Sequence, residues 1–195
     1  YDLRAAASAK ETSVDDDMPP TAISTIQGSG AIAPLDGEVV MVEAIVVGDF
    51  QGSTGLGGFF LQEEFGDEDG DPATSEGLSI FQGSNTTAVN VGDIVRVTGT
   101  VDDFGNGFSS LTELTAVTSV TVISSGQALP AAVHVSLPTA TVAELEAFEG
   151  MRVAIDTQLT VTDTFTLGRY GEALLSADGP GNQPGTDARL DQFTQ

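Results

Sequence analysis

The sequence predicts an all-β protein, in which an antiparallel Greek-key barrel is followed by a second, smaller and incomplete β unit. Apolar and polar residues alternate over several short segments, which is the pattern of strands with one buried face. Glycine-rich turns separate these segments, as is usual between antiparallel neighbours. One short helical pattern, near residues 141–148, interrupts the β pattern late in the chain.

The first strands are predicted in Leu35–Phe65, which reads as two strands joined by a glycine-rich loop. The segment Val39–Val46 is apolar on both of its faces, apart from Glu43. Such a strand is covered on both sides. Phe59 to Leu61 restart the pattern after the loop and lead into a cluster of acids. This hairpin is the expected opening of a small barrel.

The remaining strands of the barrel are expected to complete a domain at residues 21–126. Val91–Val101 alternates most clearly, with valine at every second position for much of its length. Turn signals bound the other segments, which gives five or six strands, enough for one closed or nearly closed barrel. These other predicted strands are Thr21–Ile26, Leu78–Gln82 and Leu111–Ile123.

Two further regions flank the predicted barrel. Residues 1–20 are polar and end in Pro19-Pro20, which predicts a linker or a strand pinned to its own barrel or to a neighbouring copy. Residues 127–195 form the second unit, with a helix near 141–148 that Thr141 can cap, since Glu144 follows at the spacing of a capping box. Met151–Thr162 alternates again, but the pattern fades after Ser176.

The composition restricts the partners of the chain. It has 29 acidic residues against six lysines and arginines, for a formal charge of −23. Such a surface repels nucleic acid, so binding to it is expected to be weak or absent, and it suits divalent cations. The chain has no cysteine, which is compatible both with the cytosol and with secretion. It has no apolar run long enough to span a membrane.

Several spaced motifs carry a resemblance to a known family between about residues 21 and 177. In chain order they are TAISTIQGSG, PLDGEVVMVEAIVVGDFQ, GGFFLQEE, GDPATSEGLSIFQG, VNVGDIVRVTGTV, FEGMRV and LGRYGE. Together they resemble the OB-fold-like accessory region of secreted bacterial nucleases of the endonuclease/exonuclease/phosphatase superfamily. The resemblance implies an OB-like barrel and an extracellular or cell-surface location.

The same resemblance implies an accessory module without nuclease activity. In that family a separate catalytic domain uses metal-bound acids, asparagines and two histidines, whereas this chain has the single histidine His134. The catalytic domain is therefore expected to be missing from this chain. His134 itself, and Arg169-Tyr170 in the LGRYGE motif, are more often structural or surface residues than ligands.

An acidic loop is the first candidate site. Asp67, Asp69 and Asp71 alternate with single residues, and Glu76 follows shortly after. Alternate carboxylates converge on hard cations in calcium loops, so we expect Ca²⁺ to bind these four residues. Pro72 and Leu78 break the EF-hand pattern, and a solvated acidic turn remains the competing interpretation.

An aromatic set is the second, weaker candidate, as a ligand-binding surface. Phe50, Phe59 and Phe60 lie in or beside the predicted hairpin, Phe81 lies in the next predicted strand, and Arg96 lies in a later one. OB barrels stack ligands on aromatic rings beside positive charge. Packing into the core is the competing interpretation, because the chain has so few cations.

Two functions remain open from the sequence. The first is a non-catalytic module that binds a ligand or positions a neighbouring domain of a secreted enzyme. The second is a structural subunit of an extracellular fibre or surface layer, in which an open sheet edge accepts a strand from another copy. The size of the purified chain in solution separates the two hypotheses.

Overall fold

The computed structural model describes residues 19–52, 56–83, 85, 87–105, 110–165 and 173–177. Five strands form a closed barrel in the order β1-β2-β3-β5-β4, which confirms the predicted all-β, barrel-like class. The strands are β1 (Val39–Phe50), β2 (Gly58–Gln62), β3 (Gly77–Phe81), β4 (Ile94–Phe104) and β5 (Leu111–Ser124).

The sequence predicted an antiparallel barrel, but one pair of neighbouring strands is parallel. These strands are β3 and β5, which pair through Ser79–Glu113 and Ile80–Leu114. The other four pairs of neighbouring strands are antiparallel. Strand directions cannot alternate all the way round a ring of five, so one parallel pair is required for closure.

The interior of the barrel is filled by one alternating set from each strand. On β1 this set is Val40, Val42, Ala44 and Val46, and it packs with inward residues of the other four strands. The opposite face of β1 is also largely covered, since Met41 and Ile45 are buried, whereas Val39 is exposed. The prediction of a strand covered on both sides therefore holds for most of its length.

The segment predicted as a strand at Thr21–Ile26 is instead a short helix, α1 (Ile23–Gln27). Ile23 and Ile26 are both fully buried in the barrel core, which their spacing allows on one face of a helix. The backbone amide of Ile23 donates a hydrogen bond to Glu63 Oε1 at 2.8 Å. Tertiary packing thus overrides the β propensity of this isoleucine- and threonine-rich sequence.

Two other boundaries differ from the sequence prediction. Strand β4 begins at Ile94, because Val91 to Asp93 form a turn in which Gly92 has a φ of 90°. The helix near 141–148 is a 3₁₀ helix at Val142–Phe148. The Thr141 side chain does not cap it; Thr141 Oγ1 instead donates to Glu144 Oε1 at 3.4 Å.

The region after the barrel contains two separate two-stranded sheets among the described residues. Strands β6 (Val133–Val135) and β7 (Val153–Ile155) pair in parallel, and β8 (Thr160–Asp163) pairs antiparallel with β9 (Leu174–Ser176). The expectations for residues 1–18, Arg169-Tyr170 and the residues after 177 lie outside the described part of the chain.

The chain after the 3₁₀ helix packs closely on the barrel. A Cβ atom on Gly77 would lie 2.3 Å from the carbonyl carbon of Gly150, so only glycine allows this approach of the two backbones. Glu149 Oε1 accepts hydrogen bonds from the Thr112 amide at 2.7 Å and from Gln27 Nε2 at 3.3 Å. This carboxylate joins α1, β5 and the end of the 3₁₀ helix.

Candidate functional site

A cleft of about 680 Å³ lies on the outer face of the barrel. A continuous row of paired residues crosses its floor, running from β2 through β3 and β5 to β4. The members of this row are Phe60, Ser79, Glu113 and Asp102. Their chain neighbours Phe59, Ile80, Leu114 and Val101 form the next row and point into the core. The alternation of β side chains therefore places the floor residues on the side opposite the core.

Aromatic and aliphatic side chains form the walls of the cleft. Phe81 and Phe104 line it and keep 44% and 67% of their surface exposed. Leu56, at the β1–β2 loop, is another exposed apolar residue of the lining. Exposed rings around a concave surface are typical of a binding site, because they can pack on the apolar faces of a ligand.

Two carboxylates lie on the floor without a basic partner among the described residues. Asp102 and Glu113 are directly opposite each other on β4 and β5. Burial, and then the charge of Asp102, raises the pKa of Glu113 to about 7. Like charges at directly opposed positions destabilise a sheet, so this pair is costly in the absence of a cation.

An irregular stretch of β5 forms one end of the cleft. Thr98 pairs with Ser119 and Thr100 pairs with Thr115, so several β5 residues bulge opposite Gly99. Ala116, at this bulge, has a φ of 45°, which is unusual for a residue with a side chain. Thr115, Ala116 and Val117 line the cleft. Bulges commonly redirect side chains at functional sites.

The predicted aromatic set is divided between core and cleft. Phe59 belongs to the core cluster, whereas Phe60 and Phe81 line the cleft on the side opposite the core. Phe50 does not line the cleft but meets Phe60 edge to face, with ring centroids 5.8 Å apart. Arg96 is engaged elsewhere, since its Nε and Nη2 donate to Glu43 Oε2 at 2.9 and 2.7 Å. It does not line the cleft.

Sequence reasoning included Phe81 but missed three other residues that give the cleft its character, namely Asp102, Phe104 and Glu113. A signal was present, because Asp102 and Phe104 share one face of β4, as do Leu111 and Glu113 on β5. Alternation along a strand shows which of its residues share a face. It does not show that these faces of β4 and β5 lie side by side in the sheet.

The acidic loop uses several of its carboxylates to hold its own backbone. Asp69 Oδ1 accepts from the Asp71 amide at 2.7 Å, and Asp69 Oδ2 accepts from Thr74 Oγ1 at 2.9 Å. The hydrogen bond from the Asp71 amide is the main cause that lowers the pKa of Asp69. Asp71 Oδ1 in turn accepts from the Ala73 amide at 2.9 Å. These contacts order the loop with or without an ion.

Other acids of this loop converge in space. Oxygen atoms of Glu63, Glu64 and Asp67 lie within 4.8 Å of one another. Glu76 Oε1 accepts from the Asp69 amide at 2.9 Å, while Glu76 Oε2 is buried without a hydrogen-bond partner. Burial raises the pKa of Glu63 to about 7 and also raises that of Glu76. Of the four predicted ligands, Asp67 alone belongs to this group, where it lies with Glu63 and Glu64.

His134 is a surface residue, as the sequence suggests. Its Nδ1 lies 2.8 Å from Asp156 Oδ1, and its side chain is 72% exposed. This pair joins the two parallel strands β6 and β7 near their ends.

Comparison of the chain with family models, curated proteins and solved structures finds no significant match. The resemblance to the accessory region of secreted nucleases therefore stays a prediction. In the described part of the chain, no helix has both the length and the apolar character needed to cross a membrane.

Proposed function

We propose that this chain is a non-catalytic binding module whose ligand lies in the cleft on the outer face of the barrel. The observation that carries the proposal is the floor row of Phe60, Ser79, Glu113 and Asp102, flanked by exposed rings. A concave surface with apolar walls and a few convergent polar groups is the usual form of a binding site.

The same proposal includes the biological setting that the sequence motifs imply. The module belongs to a secreted or cell-surface protein and holds a ligand or a neighbouring domain in place. Support comes from the motif resemblance and from the five-stranded barrel, since OB-like barrels bind ligands on the face of strands 2 and 3. Residues of those two strands line the cleft together with residues of β4 and β5.

A titration followed by two-dimensional NMR tests this function. The probes are a soluble oligosaccharide, a single-stranded oligonucleotide and a short peptide, each added separately. We expect at least one to shift amide signals of β2, β3 and the start of β5. Because Phe81 and Phe104 are exposed, replacing either by alanine should weaken binding with little loss of stability.

Phe65→Ala is the matched control, since Phe65 is 94% exposed and does not line the cleft. Binding unchanged in Phe81→Ala and Phe104→Ala, or signal shifts confined to another surface, would refute the proposed site.

The alternative function is a fibre subunit joined by strand exchange, and fewer features of the structure support it than support the binding function. Each barrel strand has a paired neighbour on both sides, but β3 and β5 pair only through Ser79–Glu113 and Ile80–Leu114. Strand addition would therefore use the rest of this edge of β5, the two-stranded sheets β6–β7 and β8–β9, or residues outside the described ranges. Sedimentation tests this directly: a concentration-independent monomer contradicts the fibre, and large polymers support it.

We also propose that the acidic loop binds Ca²⁺ and thereby stabilises the barrel. The buried, unpartnered Glu76 Oε2 supports this, together with the convergence of Glu63, Glu64 and Asp67. Carboxylate oxygens are the ligands that calcium prefers. The ion would link the end of β2 to the residue that precedes β3.

A further inference from the structure

The outer-face cleft combines a negative floor with aromatic walls. Its two acids, Asp102 and Glu113, are held opposite each other by the β4–β5 register. Phe81 and Phe104 each follow the floor row by two residues on the same face of their strands, so the rings and the carboxylates share a surface. Because β3 runs parallel to β5 and β4 runs antiparallel to it, the two rings border opposite sides of the floor row. The carboxylates favour a positively charged ligand and the rings favour an apolar one. Together they favour a ligand that carries both a positive charge and an apolar part.

The described part of the chain supplies no cation to this floor. Arg96 is paired with Glu43, and His134 with Asp156. Arg152 donates its Nη1 to the carbonyl oxygen of Pro130. Since none of these three side chains lines the cleft, its two carboxylates are open to a cation from a partner.

We propose that the cleft binds a cationic side chain, lysine or arginine, presented by a peptide or protein partner. This inference rests on the proposed function of the cleft and names its ligand class. The cationic group lies between Asp102 and Glu113, and its aliphatic stem packs on one of the two rings that flank them, Phe81 or Phe104. Cations are attracted to aromatic faces, and the carboxylates add charge complementarity.

The protonation of Glu113 supports this choice. The charged group facing Glu113 is Asp102 on β4, while β3 faces it with the neutral Ser79. Burial and Asp102 hold the pKa of Glu113 at about 7, and a bound cation lowers it again by favouring the carboxylate. Binding of the cation therefore releases a proton and strengthens as the pH rises from about 6 to 8.

The test uses a single positive charge, because a chain of net charge −23 attracts polycations everywhere. The probe is N-acetyl-arginine N-methylamide, and the neutral comparison is the citrulline analogue, which keeps the shape. Both are titrated at physiological salt and followed by amide shifts. We expect saturable shifts at Phe60, Ser79, Phe81 and Glu113, and at least threefold weaker binding of the citrulline analogue.

Glu113→Gln and Asp102→Asn should each weaken arginine binding about threefold or more, and Glu113→Gln should also remove its pH dependence. Glu38→Gln is the matched control, since it removes one charge at an exposed residue outside the cleft. An amide spectrum of each variant verifies that the barrel is intact.

The outcomes separate this inference from the function on which it rests. If both probes bind the cleft equally, the cationic ligand is refuted while the binding function stands. The second outcome is that no compound shifts the amide signals of cleft residues: not the arginine or citrulline compound, and not the oligosaccharide, oligonucleotide or peptide. In that case both the cationic ligand and the binding function are refuted. If Glu38→Gln weakens arginine binding as much as Glu113→Gln, general charge attraction explains the effect and the inference is overturned.

Discussion

Glu63 and Glu76 face each other where β2 ends and β3 begins, and the Glu63 amide donates to the Glu76 carbonyl at 3.0 Å. Both residues are at least nine-tenths buried, at 5% and 7% exposure. Burial disfavours the charged form of a carboxyl group, and two charged groups in this position also repel. Burial and mutual repulsion therefore favour the neutral forms of these two acids, or the binding of a cation beside them.

The first prediction is that the protein is more stable at pH 5 than at pH 8. The pKa of Glu63 is raised from 4.5 to about 7, so between these values the folded state binds more protons than the unfolded state. The free energy of unfolding consequently falls as the pH rises through this window. Glu113 and Glu146, whose pKa values are also raised to about 7, act in the same direction.

Thermal melting of Glu63→Gln checks this prediction. Glutamine keeps an oxygen to accept from the Ile23 amide but cannot ionise, so the midpoint difference between pH 5 and pH 8 should shrink by several degrees. Glu38→Gln removes an exposed charge and should leave the difference nearly unchanged. Equal effects of the two variants would mean that general charge repulsion, and not burial of Glu63, causes the pH dependence.

The second prediction is that millimolar Ca²⁺ raises the melting midpoint. A ligand present at about 100 times its dissociation constant stabilises the folded state by roughly 2.7 kcal/mol. Asp69→Ala should abolish this gain, but Asp69 also orders the loop. The double variant Glu64→Gln, Asp67→Asn is a more specific test, because it removes the charge of two proposed ligands. It leaves the hydrogen bonds that Asp69 accepts in place.

If Ca²⁺ leaves the parent melt unchanged, or if the double variant responds as strongly as the parent, the loop is only a charged turn. Glu38→Gln should respond like the parent. Mg²⁺ at the same concentration should stabilise less, since it demands a stricter octahedral geometry.

The third prediction concerns the contact between Gly77 and Gly150. A Cβ atom at residue 77 would meet backbone atoms at 2.3 to 2.6 Å, and backbone cannot move aside cheaply. Gly77→Ala should lower the free energy of unfolding by about 1–3 kcal/mol, as measured by chemical denaturation. Gly30→Ala is the control, because a Cβ there has nothing within 4 Å; a similar loss in both variants would contradict the close approach.

The fourth prediction is that the isolated chain cleaves neither DNA nor RNA. It follows from the proposed accessory role and from the formal charge of −23, which repels phosphates. Purified protein should leave both substrates intact with Mg²⁺, Mn²⁺ or Ca²⁺, and binding to single strands should be lost at moderate salt. Metal-dependent cleavage that co-purifies with the chain through successive columns would overturn the prediction.

The sequence by itself determined the β class, the hairpin of β1 and β2, and the acidic loop. These features depend on local patterns: alternation in Val91–Val101, glycine turns, and carboxylates close together in the chain. Such patterns act over a few residues, so they can be recognised without knowing the neighbours of a segment. Asp67, which the structure groups with Glu63 and Glu64, was singled out in this way.

Only the tertiary structure decided which strands are neighbours and what covers each face. Packing made a helix of Ile23–Gln27, although its residues favour strands. The floor of the cleft depends on the pairing of Ser79 with Glu113 and of Glu113 with Asp102. Alternation tells which residues of one strand share a face, but closure of the barrel sets the order and register of the strands. Register between distant strands is a property of the whole fold, and it brings these acids and rings together.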